Sequence, residues 1–346
     1  MSIMKHKNIP LNVLKRVFGT VFIPVMIYAV IYLAARANGI TYFGDSNTWR
    51  NIFLNFGLTA TIAYALGLQI KNGRYDFSGG AIMTLGALIS LYIVNHTVEN
   101  AIFYLIISIF ICTALSTIVS LVYVEGKIPI IICTVGMAIL YESLTLVFNR
   151  GQNLSISNNP ALNYLGRQLQ PMLILVAISA LIYLIFNNFT SAGKKAQLLA
   201  SNQTAAVNIG INEKKNVVIT FMLSGMFYGI ASVVYAGQSF QVEVVSSVLG
   251  TVSTAFGSML TIFMGFWIGQ FSTDAIGIIF SSFAVGILQY GIDVLAPTGY
   301  AGAFKNIVMA LFMIIFYLVS RKGARAIRYV SNELRLRKKE NENAPL

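Results

Sequence analysis

Ten stretches of roughly twenty residues, each almost wholly apolar, follow one another along the chain with only brief polar breaks. They cover 17–37, 52–70, 77–94, 101–124, 128–148, 171–187, 216–240, 249–269, 275–295 and 304–320. A bilayer hydrocarbon core of about 30 Å is crossed by a helix of about 20 apolar residues. The runs are continuous rather than alternating, so spanning helices are expected and a β-barrel is not. Only 10% of the 346 residues are charged, against roughly 25% in soluble domains, which leaves too little polar surface for a water-soluble fold. The expected fold class is an all-α polytopic membrane protein with about ten transmembrane helices. The runs 77–94, 249–269 and 275–295 are short or interrupted by glycine, and are the candidates for a broken or re-entrant span.

The 24 Lys and Arg residues exceed the 12 Asp and Glu. The positive charges punctuate the apolar runs instead of forming one patch, so they speak to topology and not to a nucleic-acid partner. With a cytoplasmic N-terminus, Lys5, Lys7, Lys15, Arg16, Lys71, Arg74, Lys127, Lys194, Lys195, Lys214, Lys215 and the basic tail Arg321–Lys339 all fall inside. Arg36, Arg50, Arg150, Arg167 and Lys305 fall outside. This division favours an even number of spans with both termini cytoplasmic. Ala35-Arg36-Ala37 resembles a signal-cleavage site, but the 21 residues before and including it exceed a usual signal core of about 7–15, so an uncleaved first helix is expected. The chain divides into a cytoplasmic segment 1–16, a membrane domain 17–320 with a cytoplasmic segment 188–215 inside it, and a tail 321–346. A cell membrane is the expected location. The tail is read as a topology anchor, with anionic lipid as its other possible contact.

Several chemistries have no residues to support them. Gly126-Lys127 and Gly193-Lys194 lack the remainder of a phosphate loop, so ATP binding by that motif is not expected. Cys112, Cys133, His6 and His96 are the only residues of their kinds. They suit neither a disulfide framework nor a metal site nor imidazole catalysis within the membrane. No catalytic residue, metal site or resident cofactor is expected, and the chain does not read as an enzyme.

Ionisable residues inside spans are costly and often functional. Glu142 is the one deep acid, read either as a bundle-interior carboxylate satisfied by hydrogen bonds or as a lining of a translocation path. Asp293 lies near the end of a run. In Asn72-Gly-Arg-Tyr-Asp76-Phe-Ser78-Gly79-Gly80, Asp76 or Ser78 is expected to cap a helix starting near Gly79. The glycines there permit close approach of another helix or of a ligand. The competing reading is a site at the cytoplasmic end of a path. Gly225 and Gly229 form a G-x-x-x-G, which lets helices pack closely, within the chain or at a subunit interface.

The stretch 188–216 is too polar to span. Residues 194–200 suit one short helix, and Asn202 can cap a second of about two turns that stops at Gly210 in the left-handed region. Ala205 and Ala206 give that second helix a smooth face, suited to docking against a partner or to lying along the membrane surface.

In three places the chain resembles the permease subunits of bacterial ABC importers of the ribose-type sugar family, over roughly residues 50–320. Asp76-Phe-Ser-Gly-Gly80 with Met83-Thr-Leu-Gly-Ala87 is similar to that family's D-L-S-V-G region. Lys127-Ile-Pro-Ile-Ile-Ile-Cys-Thr134-Val-Gly136 is similar to its P-F-I-x-T-L-G. Gly193 through Ala200-Ser-Asn202, then Ala205, Ala206, Gly210 and Ile211, resembles its cytoplasmic coupling segment. The resemblance implies a ten-helix permease working with a second permease subunit, the same chain or a related one. It further implies cytoplasmic ATP-binding subunits carrying ATP and Mg, and an extracellular or periplasmic substrate-binding protein met by Asn149–Gln170. Gly193, Lys194, Lys195, Asn202, Ala205, Ala206, Gly210 and Ile211 would then couple to the ATPase. Asp76, Ser78, Gly79, Thr134 and Glu142 are candidates for the path. A monosaccharide or similar small polar solute is the implied cargo. Nucleosides, branched-chain amino acids and ion-coupled secondary transport are the alternatives.

Overall fold

A computed structural model describes residues 9–156, 159–296, 302–304 and 306–315. Lys5, Lys7, Lys305 and the basic tail 321–346 lie outside the described residues. Two compact units are present, Met1–Leu295 and Ala296–Leu346; in the second, residues 302–304 and 306–315 are helical.

The first unit begins with α1 (Ile9–Ala37), α2 (Ser46–Lys71), α3 (Gly79–Asn95), α4 (Ala101–Gly126) and α5 (Ile130–Val147). A 3₁₀ turn at Phe148–Gly151 and strand β1 (Leu154–Ser155) lead to α6 (Pro160–Arg167) and α7 (Leu169–Phe189). The short helices α8 (Ser191–Ser201) and α9 (Gln203–Asn208) precede α10 (Glu213–Ser239), strand β2 (Gln241–Val242), α11 (Val252–Gly269) and α12 (Asp274–Leu295). Among the described residues, eight helices are long and apolar enough to cross a membrane; α3 and the 302–315 stretch are shorter apolar helices. The protein is thus a helical multi-pass membrane protein.

α2 and α10 run antiparallel through the centre. Gln69 Nε2 donates to Ser224 Oγ at 2.9 Å, and Ser224 Oγ donates to the Ala65 carbonyl at 3.0 Å. Each is then flanked by a helix from the opposite half of the sequence. Ser116 Oγ of α4 donates to the Phe221 carbonyl of α10 at 2.7 Å, and Tyr64 Oη of α2 donates to the Ala275 carbonyl of α12 at 2.8 Å. Small residues permit the approach. A Cβ at Gly225 would stand 2.6 Å from Thr113 Cα, and one at Gly229 would collide with the Ile109 backbone. The G-x-x-x-G therefore packs within the chain, against α4.

The two central helices are followed by the same sequence of parts in opposite directions. After α2 the chain turns at Asn72-Gly73, runs without helix through residues 74–77 and enters α3; after α10, residues 240–251 run back without helix and α11 begins. Four residues, 74–77, rising about 3.3 Å each cover roughly 13 Å, so this segment climbs from the Lys71 end toward the middle of the bundle. There Gly79 faces the ring of Tyr228, near the midpoint of α10, and Gly80 lies against the Thr251 carbonyl. The starts of α3 and α11 thus meet at mid-depth, and the helices run from there to opposite ends. The runs 77–94 and 249–269 are accordingly helices preceded by irregular backbone inside the bundle.

The end holding Lys71, Lys127, Lys194, Lys195, Lys214 and Lys215 also carries α8 and α9. Lys71 Nζ pairs with Asp274 Oδ2 at 2.5 Å across the α2 and α12 ends. At the other end β1 pairs with β2, Leu154 opposite Val242, and Gly166 of α6 packs on Gly237 of α10. Asn149–Gln170 is therefore partly folded onto the end of α10 rather than being an open loop.

Candidate functional site

The junction of α3 and α11 places two buried carboxylates at the centre of the bundle. Asp76 is 2% exposed and Glu142 3% exposed. Asp76 Oδ1 accepts from Ser78 N at 2.9 Å and from Ser78 Oγ at 2.6 Å, while Tyr228 Oη donates to Asp76 Oδ2 at 3.3 Å. Glu142 Oε2 accepts from Leu249 N at 2.7 Å. Its Oε1 accepts from Thr251 N at 2.7 Å and from Thr251 Oγ1 at 2.5 Å.

Each carboxylate serves the beginning of one half-helix. Orphan amides and the dipole make a helix start locally positive, and a carboxylate there offsets both. Glu142 does this from across the bundle, reaching from α5 to the two amides just before α11. It also fixes Leu249 in the left-handed region, φ 60°. Thr145 Oγ1, one turn further along α5, accepts from Val245 N at 3.0 Å, so α5 holds the irregular 243–251 segment at two levels.

The structure brings all five candidate path residues to this junction. Thr134 is fully buried, its Oγ1 donating to the Tyr75 carbonyl at 3.4 Å. Ser78 and Gly79 sit at the start of α3, beside Tyr228. Two expectations are corrected. Ser78 does not cap α3, because its hydroxyl donates to Asp76; the Asp76 carboxylate accepts the Ser78 amide, one residue short of the helix. The motif also does not lie at a cytoplasmic end, because the non-helical backbone carries Asp76 to mid-depth. Arg74, read from the sequence as a topology charge, is 6% exposed, with Nη1 donating to Thr220 Oγ1 at 3.1 Å.

Tyr228, Thr251 and the 243–251 segment were not singled out in the sequence. The polar pair Ser246-Ser247 ahead of Gly250 was the available signal, obscured because the apolar run starts at Leu249. A cavity of about 280 Å³ opens beside the junction. Its wall includes Thr84, Tyr235, Glu243, Ser246, Ser247, Thr251 and Thr254. Hydroxyls and one carboxylate dominate it, a surface built to exchange hydrogen bonds with a polar solute.

Irregular backbone is also exposed on the outside of this unit. Tyr75 is 41% exposed and Val248 76% exposed, beside Ile131 and Ile132 of α5 and Phe256 of α11, all on the surface. Non-helical backbone within a bilayer is tolerated only where protein or a water-filled cavity covers it.

At the basic end, Thr190 Oγ1 accepts from Gly193 N at 3.1 Å to start α8, and Gly193 packs on the Phe186 and Asn187 backbone. Asn202 Oδ1 accepts from Ala205 N at 3.0 Å to start α9. Gly210 follows it at φ 89° and Ile211 N donates to the Ala206 carbonyl at 3.1 Å. Ala206 faces inward, whereas Lys194, Lys195, Asn202, Ala205 and Gly210 are exposed, together with Val207 and Ile209. Ala200 of α8 touches Gly73, the foot of the non-helical segment that climbs to Asp76. No group of three or more His, Cys, Asp or Glu is placed to hold a metal among the described residues.

A family described as branched-chain amino acid transport system / permease component matches residues 48–317. The chain belongs to this permease family. It is similar to the ribose import permease protein of Escherichia coli strain K12, 23% identical over 300 residues, with 81% of this chain and 87% of the relative covered. It is similar also to the D-allose transport system permease protein of the same strain, 23% identical over 318 residues, with 88% and 91% covered. The fructose import permease protein of Bifidobacterium longum is 22% identical over 320 residues, with 86% and 91% covered. No solved structure gives a significant match. As a member of a permease family the chain is a membrane transport component and not an enzyme.

Proposed function

We propose that this permease is the membrane subunit of an ATP-driven importer for a monosaccharide or a similarly hydroxylated small solute. The basic end is taken as cytoplasmic, with both termini there. The observation that carries the reading is the mid-depth junction, where two half-helices meet beside a hydroxyl-lined cavity. The ribose, allose and fructose import permeases among the relatives support the same class of cargo. The family description favours a branched-chain amino acid as second reading. An aliphatic side chain would gain little from a cavity lined by Thr84, Ser246, Ser247, Thr251 and Glu243, whereas sugar hydroxyls would find partners.

A second permease subunit, the same chain or a related one, covers the face formed by Tyr75, Ile131, Ile132, Val248 and Phe256, and the path runs along that covered face. α8 and α9 dock into the cytoplasmic ATP-binding subunits, which hold ATP and Mg. Lys194, Lys195, Asn202, Ala205 and Gly210 meet the partner, while Gly193, Ala206 and Ile211 seat the two helices. Movement of α8 pushes on Gly73 and, through residues 72–78, on the α3 start, which is the route by which ATP closure switches access from one side to the other. A binding protein outside delivers the solute at the α6 and β1–β2 end.

The test is co-purification from native membranes in mild detergent, followed by radiolabelled monosaccharide uptake in the same cells. A phosphate-loop ATPase and a secreted binding protein are expected to accompany the chain. Inactivating that ATPase should abolish uptake, and collapsing the ion gradient at constant ATP should not. Uptake that follows the ion gradient with the ATPase inactive would overturn the reading in favour of secondary transport.

A further inference from the structure

A second and larger cavity, about 800 Å³, lies between α3 and α5, with Leu115 of α4 behind it, at the end of the bundle away from α8 and α9. It is distinct from the hydroxyl-lined cavity at the α3–α11 junction and shares no lining residue with it. Its walls are Leu85, Ile89, Leu115, Leu144, Val147 and Leu154. Its rim is different in kind: Tyr92, His96 and Arg150 stand there. The Tyr92 ring lies tilted at 4.3 Å from that of His96 and meets Phe148 edge-on at 5.4 Å, forming an aromatic collar. His96 Nδ1 lies 2.8 Å from the Tyr92 carbonyl, which holds the imidazole at that level. Arg150 is exposed and has no hydrogen bond or ion pair among the described residues.

The dimensions match one leaflet. From Leu85 at the floor to His96 at the rim is eleven residues along α3, about 16 Å at 1.5 Å per residue. Half of a hydrocarbon core of about 30 Å is about 15 Å. An apolar slot of that depth, with Tyr92, Leu144 and Val147 on the protein surface and a cation and aromatic rings at its rim, has the pattern of a phospholipid site. Tyr and Arg prefer that interfacial level.

We propose that this groove binds a phospholipid of the leaflet opposite the coupling segment. One acyl chain lies between α3 and α5 along Ile89 and Leu144, and the phosphate is held by the Arg150 guanidinium. A cationic side chain above an apolar slot selects a phosphate-bearing lipid, favouring an anionic headgroup, over a neutral glyceride. The filled slot wedges the far end of α5, the helix whose Glu142 and Thr145 hold the α11 start, so lipid occupancy bears on the junction without touching the cargo.

The experiment uses the full chain in vesicles of phosphatidylethanolamine and phosphatidylglycerol containing a trace of phosphatidylglycerol with a diazirine in its acyl chain. After photolysis, labelled peptides are mapped by mass spectrometry. Labelling concentrated on residues 85–96 and 140–148, and displaced by excess unlabelled phosphatidylglycerol but not by inorganic phosphate, is expected. Arg150→Gln should lower it about tenfold, the size of one charge-assisted hydrogen bond. Leu144→Trp, which fills the slot, should lower it similarly, while Arg50→Gln at the same end should leave it unchanged. Even labelling over all lipid-facing helices, or labelling unaffected by both groove variants, overturns the proposal. Displacement by inorganic phosphate would make the rim a free-anion site and overturn the lipid assignment.

Discussion

Glu142 reads from the sequence as a path-lining or bundle-interior acid, and in the structure its carboxylate is bonded to the start of α11. Its two oxygens accept from Leu249 N, Thr251 N and Thr251 Oγ1 at 2.5–2.7 Å, which leaves little acceptor capacity toward a solute. Replacing it by alanine strands two amides in a nearly dry site, and leaving a buried donor unmade costs about 1–3 kcal/mol. Glu142→Ala is therefore expected to lose about 3 kcal/mol of stability in detergent, and Glu142→Gln about half of that because the amide oxygen still accepts. Thermal unfolding of the purified chain reads the difference. Unchanged stability of Glu142→Ala with uptake abolished would assign the carboxylate to the path instead. Asp76 belongs to the same class, since Ser78 and Tyr228 occupy both of its oxygens.

Among the elements, glycine positions that look alike in sequence differ in what surrounds them. Gly229 faces the Ile109 backbone, whereas a Cβ at Gly257 would meet nothing within 4 Å. Gly229→Leu is expected to force α4 and α10 apart at a cost of about 2–3 kcal/mol. Gly257→Leu should change the stability of the isolated chain by about 0.5 kcal/mol or less. Melting of the two variants side by side tests this, and equal losses would contradict it. The short helix α9 depends on its cap. Asn202→Ala removes the bond to Ala205 N at about 1 kcal/mol, so amides of residues 203–208 should exchange several-fold faster. If exchange there is unaltered, contact with α8 rather than the cap maintains the helix.

At the scale of the molecule, the proposed second subunit is expected where irregular backbone is exposed at mid-depth. Single cysteines placed at Ile132, Gly136, Phe256 or Gly257 are expected to give cross-linked permease pairs in native membranes at one or more sites. Phe110→Cys, on the surface of α4 where Phe110 is 70% exposed, should give none. Cys112 and Cys133 are buried and supply little background. Cross-linking at Phe110 alone would move the interface to α4. The sequence by itself determined the class of the fold, because a run such as 101–124 has no other way to satisfy its backbone in a bilayer. It determined local punctuation too: Asn202 starts and Gly210 stops a helix through contacts a few residues away. It located Asp76, Ser78, Gly79, Thr134 and Glu142 as a set worth watching, but not what joins them. Tertiary structure alone decided that residues 74–77 climb toward mid-depth, that the α3 and α11 starts meet, and that Glu142 is spent on amides more than a hundred residues away. Hydropathy reports whether a segment avoids water; which buried donor meets which acceptor depends on packing between distant helices, and no local pattern encodes that.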